Sequence, residues 1–268
     1  MTNQSTFGRI RVGNSVKLGL LVAATAFVAG CSTTEAPGPI EPTGTFGRVR
    51  LVNVITDATR GVVNASLEGL VFTVNLGYTQ AAPANLPSPA TAAYSAVYTG
   101  SRTFVLKQTS DTTKTIATLP FSITDGQDLS VYAIGGAGGS AITSVVITDD
   151  NTLGTSAQTR VRSVNMSPTA GALDFFVTAS GADLSTATPV ATNVAYKAAS
   201  TYAIVAPGTY VVRAVPAGTA AGSRNGAVVF TSASTAFAGA SVRTVVAADA
   251  ATGGTPLRGF VLLDRPLP

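Results

Sequence analysis

Two segments of this chain, Arg48-Val49-Arg50-Leu51-Val52-Asn53 and Arg160-Val161-Arg162-Ser163-Val164-Asn165, are near copies of each other. Self-similarity at long spacing constrains a fold strongly, because each copy must be a unit of structure that occurs twice. Two more correspondences follow in the same order. Ala96–Val105 parallels Ala203–Val212, and later a Gly-rich turn (Gly135–Gly139, then Gly253-Gly254) precedes a closing apolar strand, Ala141–Asp149 or Leu257–Asp264. These set two tandem repeats, 46–152 and 157–268, with Asn151–Ser156 as a short joint.

Inside a repeat the hydrophobic period is two. Val49, Leu51 and Asn53 fall on one face of a strand and Arg48, Arg50 and Val52 on the other, the pattern of a half-buried strand. Leu70–Tyr78, Ala93–Tyr98, Thr103–Lys107, Thr115–Ile123, Leu129–Ile134 and Ile142–Thr148 read the same way, with turn residues such as Thr124-Asp125-Gly126-Gln127 between them. The 27 glycines and 14 prolines supply turns, and Ala81–Pro89 is a Pro-rich loop of the first repeat. No segment after residue 31 carries a helical period with caps. The expected fold is all-β, two tandem Ig-like antiparallel β-sandwich domains.

The N-terminus has a separate logic. Arg9, Arg11 and Lys17 precede an apolar run from Leu18 to Gly30, and the chain's one cysteine, Cys31, follows it. A positive flank, a short apolar core and small residues before a cut site make a secretory signal, shorter than the roughly 20 residues of a spanning helix. Val28-Ala29-Gly30-Cys31 resembles the lipobox of bacterial lipoproteins. That resemblance implies cleavage between Gly30 and Cys31, lipid on the Cys31 thiol, and a palmitate-type anchor; Ser32 in the next position favours the outer membrane of a Gram-negative envelope. Two or more acyl chains, at about 0.8 kcal/mol per buried methylene, anchor durably. Residues 1–30 are thus expected to be a signal peptide and 31–45 a lipidated Pro/Thr-rich tether.

Composition excludes whole classes of chemistry. With no histidine there is no Ser-His-Asp triad and no His-ligated zinc, and with Cys31 lipidated there is no thiol catalysis or cysteine metal cluster. Three of the 17 basic residues lie before Cys31 and none of the 13 acids does, so the remaining chain is close to neutral and offers no nucleic-acid surface. A Ser-Lys dyad would have to use Lys107, Lys114 or Lys197, and Lys107 reads as a solvated strand residue. Asp125, Asp128, Asp149 and Asp150 are the carboxylates that could work in pairs, but they stand at strand ends, where aspartate caps turns. No calcium-loop spacing occurs, and Gly135–Ser140 lacks the Gly-Lys-Ser/Thr ending of a phosphate loop. Asn53 and Asn165 are polar residues on apolar faces at matching places; each either holds the backbone of the next turn or contacts a ligand.

Arg160–Asn165 with Met166-Ser167-Pro168-Thr169-Ala170 resembles the opening of the bacterial domain of unknown function 4397. Leu173–Val177 looks like that family's next strand, and Pro207-Gly208-Thr209-Tyr210 like its Pro-Gly-x-Tyr hairpin. The first repeat departs from the pattern with Ile55-Thr56 in place of Ser-Pro, and keeps Asp57-Ala58. The resemblance implies envelope proteins with tandem copies and no assigned activity. The expectation is therefore a non-enzymatic cell-envelope lipoprotein without cofactor, held to the membrane by lipid, presenting two sandwiches for binding, adhesion or structure to an envelope protein or glycan. Its rivals are a carboxylate-dependent hydrolase of envelope glycans and an accessory subunit of an envelope complex.

Overall fold

The computed structural model describes residues 44–83 and 94–265; the expected signal peptide 1–30, the expected cleavage site Gly30-Cys31, most of the expected tether 31–45 and the centre of the Pro-rich loop lie outside them. Gly44–Pro268 form one compact unit. Its first half holds β1 (Phe46–Ile55), β2 (Val63–Leu67), β3 (Leu70–Leu76), β4 (Ala81–Ala82), β5 (Ser95–Tyr98), β6 (Gly100–Gln108), β7 (Thr115–Ile123), β8 (Asp128–Gly135) and β9 (Ile142–Asp149). The second half holds β10 (Thr159–Asn165), β11 (Leu173–Thr178), β12 (Ala191–Val194), β13 (Ala198–Ala199), β14 (Ala203–Val205), β15 (Gly208–Pro216), β16 (Phe230–Thr231), β17 (Thr235–Phe237), β18 (Ser241–Ala248) and β19 (Arg258–Arg265).

The expected all-β sandwich is present in each half. One sheet runs β4-β1-β8-β9 with β5 also on β1, and β3-β2-β6-β7 covers it. The second half repeats this plan: β13-β10-β18-β19 with β14 on β10, faced by β12-β11-β15-β16 with β17 on β15. Pairing is antiparallel except for β1 with β8 and β10 with β18, which run parallel. Local chemistry explains the strands. In β7, Leu119, Phe121 and Ile123 point inward while Thr118, Pro120 and Ser122 point out, and Pro120 is tolerated because β7 is an edge. The β2–β3 hairpin turns on Glu68 (φ 50°) and Gly69 (φ 82°), the doubly left-handed pair that a tight two-residue hairpin requires. The second half adds a short 3-10 turn, Ala221–Ala227, beside a small apolar cluster of Phe176, Leu184 and Val215.

Each sandwich has its own core: Val49, Leu51, Ile55, Phe104, Leu106 and Val131 are among the first, and Val161, Leu173, Phe175, Val212 and Val245 among the second. A third core lies between the halves. Val52, Val54, Tyr132 and Ile134 of the first pack with Val164, Met166, Val246 and Ala248 of the second. This corrects the half-buried reading of the first strand. From Arg50 to Ile55 every residue of β1 is buried, because its second face is covered by the other half of the chain. The joint is also tied down: the Asn151 amide donates to Asp128 Oδ2 at 2.7 Å, and Arg265 donates to the Asn151 carbonyl.

Candidate functional site

The charged residues of the repeated Arg-Val-Arg strands meet between the halves. Arg50 on β1 lies opposite Ser130 on the parallel β8, and Arg162 on β10 lies opposite Thr244 on β18. Arg50 Nε donates to Ser130 Oγ (2.7 Å), which donates to Asp149 Oδ2 (2.5 Å). Arg162 repeats the step, donating to Thr244 Oγ1 (2.9 Å), which donates to Asp264 Oδ2 (2.6 Å). The two sets then cross. Arg162 pairs with Asp149, and Arg50 Nη1 lies 2.6 Å from Asp264 Oδ1. The result is a closed ring of two guanidinium groups, two hydroxyls and two carboxylates, in which each half supplies one of each.

Electrostatics follow from burial. The side chains of Asp149 and Asp264 are 0% exposed and those of Arg50 and Arg162 1–2%. Burial pushes the Asp264 carboxyl above its ordinary value and Asp149 adds to that, while Arg50 and Arg162 pull it back. Burial also works against the charge on Arg50, but Asp264, Tyr94 and Asp149 outweigh it and hold that guanidinium well above its usual range. Tyr94 stacks under Arg50 at 4.8 Å and donates to Asp149, and Tyr202 stacks under Arg162 at 5.2 Å. Burial raises the Tyr132 phenol to about 12. Chemically the ring can weld the halves together, and its four charged side chains are sealed from solvent.

The residues singled out in sequence are placed as follows. Asn53 donates to the carbonyls of Gly61 and Leu76, both at 2.8 Å, and accepts from the Ile55 amide. Asn165 makes the same three bonds, to Gly171, Val194 and Ser167. Both are fully buried and hold turn backbone. Asp125 and Asp150 do sit in turns, accepting from Phe46 and Thr152 amides. Asp149 does not: the ring takes it, and Asp128 pairs with Arg48 and Asn151. Arg50, Arg162 and Asp264 went unread, although a charged residue repeated at the same place in both copies was a usable signal. A second buried knot has Asp249 accepting from Ser167, Thr169 and the Gly254 amide, while its carbonyl receives the Tyr78 hydroxyl from the other half.

Open grooves lie elsewhere, and one of them is apolar. A groove of about 450 Å³ runs between the β2–β3 hairpin tip and β5, lined by Leu67, Leu70, Val71, Phe72, Val97 and Tyr98 with Glu68 and Arg102 at its rim. Leu70 and Val71 are 76% and 77% exposed, unusually high for side chains of this kind in a chain with so few charges. Among the described residues no group of three or more acidic, histidine or cysteine side chains is placed to hold a metal ion.

Residues 47–176 match the family described as Domain of unknown function (DUF4397). The match supports one copy of that domain, and it runs past the joint through β10 and into β11. No curated protein matches the chain. Among solved structures, a leucine-rich repeat protein from Bacteroides thetaiotaomicron VPI-5482 is 10% identical, with a TM-score of 0.20; the alignment covers 75% of this chain and 26% of that one. That likeness is too low to carry an argument.

Proposed function

We propose that the protein is a non-enzymatic lipoprotein of the bacterial cell envelope, anchored through Cys31, in which two copies of one domain are fused into a single binding module. The observation that carries the non-enzymatic part is that each candidate acid pair has one member buried in an ion pair, Asp149 in the ring and Asp128 against Arg48. Asp149 and Asp264, the two carboxylates of the ring, have fully buried side chains, beyond reach of a glycan or any other substrate. A glycosidase needs two carboxylates flanking an open cleft. What the chain does expose is an apolar groove, the kind of surface that binds. The second copy is supported by the repeated Arg-Val-Arg strand and the repeated order of strands.

Two measurements test this. Mass spectrometry of membrane-extracted protein is expected to show a chain beginning at Cys31 and carrying acyl mass, with Cys31→Ala failing to mature. Purified protein incubated with envelope glycans is expected to release no reducing ends. Release that disappears in Asp128→Asn or Asp149→Asn would restore the hydrolase reading in place of this one.

A further inference from the structure

We propose that the exposed β2–β3 hairpin tip, with Leu70, Val71 and Tyr98, is a second membrane contact, which enters the headgroup–acyl boundary of the bilayer to which the tether fastens the chain. The inference rests on the lipid-anchor reading above and adds a face and an orientation to it. Three observations carry it. The patch is the most exposed apolar surface among the described residues: Leu70, Val71 and Tyr98 are each more than half exposed and line one groove. The tether ends beside it. Phe46 pairs in register with Tyr98, their rings are 4.6 Å apart, and a side chain on Gly44 would meet the Tyr98 ring at 3.0 Å. From Cys31 to Gly44 the backbone spans at most about 45 Å, so a lipid on Cys31 keeps the patch within a short distance of the bilayer.

The third observation is the chemistry of the rim. Tyr98 combines an apolar ring with a polar tip, as side chains at membrane interfaces do. Arg102 donates to the carbonyls of Tyr98 and Thr99 and has no carboxylate within ion-pair distance among the described residues, which leaves its charge to meet a lipid phosphate. Glu68 offsets that charge at the rim. Attachment therefore comes from apolar area once the tether has removed the cost of encounter, and it should persist at high salt.

The absence of tryptophan from the chain makes the test direct. Val71→Trp places a sole reporter in the patch. Ser223→Trp places one in the exposed 3-10 turn of the second half, which lines neither groove around Val71. Each variant of the mature chain is coupled through its only cysteine, Cys31, to a maleimide lipid in phosphatidylethanolamine–phosphatidylglycerol vesicles with brominated acyl chains. Because the anchor is supplied chemically, the result does not depend on whether cells lipidate Cys31. The V71W emission is expected to shift to the blue and be quenched by bromine, in low and high salt alike, with S223W unaffected. Equal quenching of both reporters, or of neither, would overturn the proposal. So would a V71W shift that tracks protein concentration without vesicles, which would make a second copy of the chain the occupant. Unchanged circular dichroism of both variants confirms that they fold.

Discussion

Removing a carboxylate or a guanidinium group from water costs several kcal/mol per ion, and the ring of Arg50, Asp149, Arg162 and Asp264 recovers that cost only while every member is present. Arg162→Met alone should therefore destabilise the protein by about 3–5 kcal/mol, because buried Asp149 loses its direct guanidinium partner and keeps only Arg50 at 3.9 Å and the hydroxyls of Ser130 and Tyr94. Replacing all four by apolar residues of similar size should be far milder, near neutral. Urea unfolding followed by circular dichroism compares the two. If the single change were as mild as the fourfold one, the ring would not be holding charge as described. These side chains also mark where sequence reading stopped. Asn53 and Asn165 stood out because a polar residue on an apolar face demands a reason. Arg50 and Arg162 fell on the face assigned to solvent, where an arginine needs none. Only the covering sheet from the other half makes them buried, and nothing in one strand's alternation reveals that sheet.

At the scale of elements, strands with a clean period of two and turn residues at both ends were legible. Thr115–Ile123 is β7 to the residue, and β3, β5, β6, β8 and β9 lie within a few residues of their expected bounds. The short β2 and β4 were missed because five and two residues are too few to show alternation. The repeat bounds make Asn151–Ser156 a short joint, and in the structure its backbone is clamped. Ala240 donates to the carbonyls of Thr155 and Gln158, and a side chain on Gly239 would come within 1.8 Å of the Ser156 carbonyl oxygen. Gly239→Ala must push the joint away from the start of β18 and should cost about 1–3 kcal/mol, as overpacking does. Gly222→Ala, in the 3-10 turn, meets open space and should change stability by less than about 1 kcal/mol in either direction. Thermal melts of the two variants separate a glycine required by contact from one that is not.

For the molecule as a whole, the question is whether two sandwiches with separate cores behave as two domains. The core between them answers it physically. Val52, Val54, Tyr132 and Ile134 would face water if the first half stood alone, as would Val164, Met166, Val246 and Ala248 in the second. Each large apolar side chain left exposed forgoes about 1.5–3 kcal/mol, and the split ring would leave both carboxylates without their partner arginines from the other half. Losses of that size rival the entire stability of a domain of about 110 residues, roughly 5–15 kcal/mol. The intact unit 44–268 should accordingly unfold in one transition, with calorimetric and van't Hoff enthalpies equal. Expressed separately, 44–152 and 153–268 should each be unfolded or self-associated, since the repeated plan lets one half's exposed face meet another copy of itself, and mixing them should restore a folded heterodimer. Two resolved transitions in the intact chain, or a half that is monomeric and cooperatively folded, would show that the third core and the ring merely touch the domains rather than complete them.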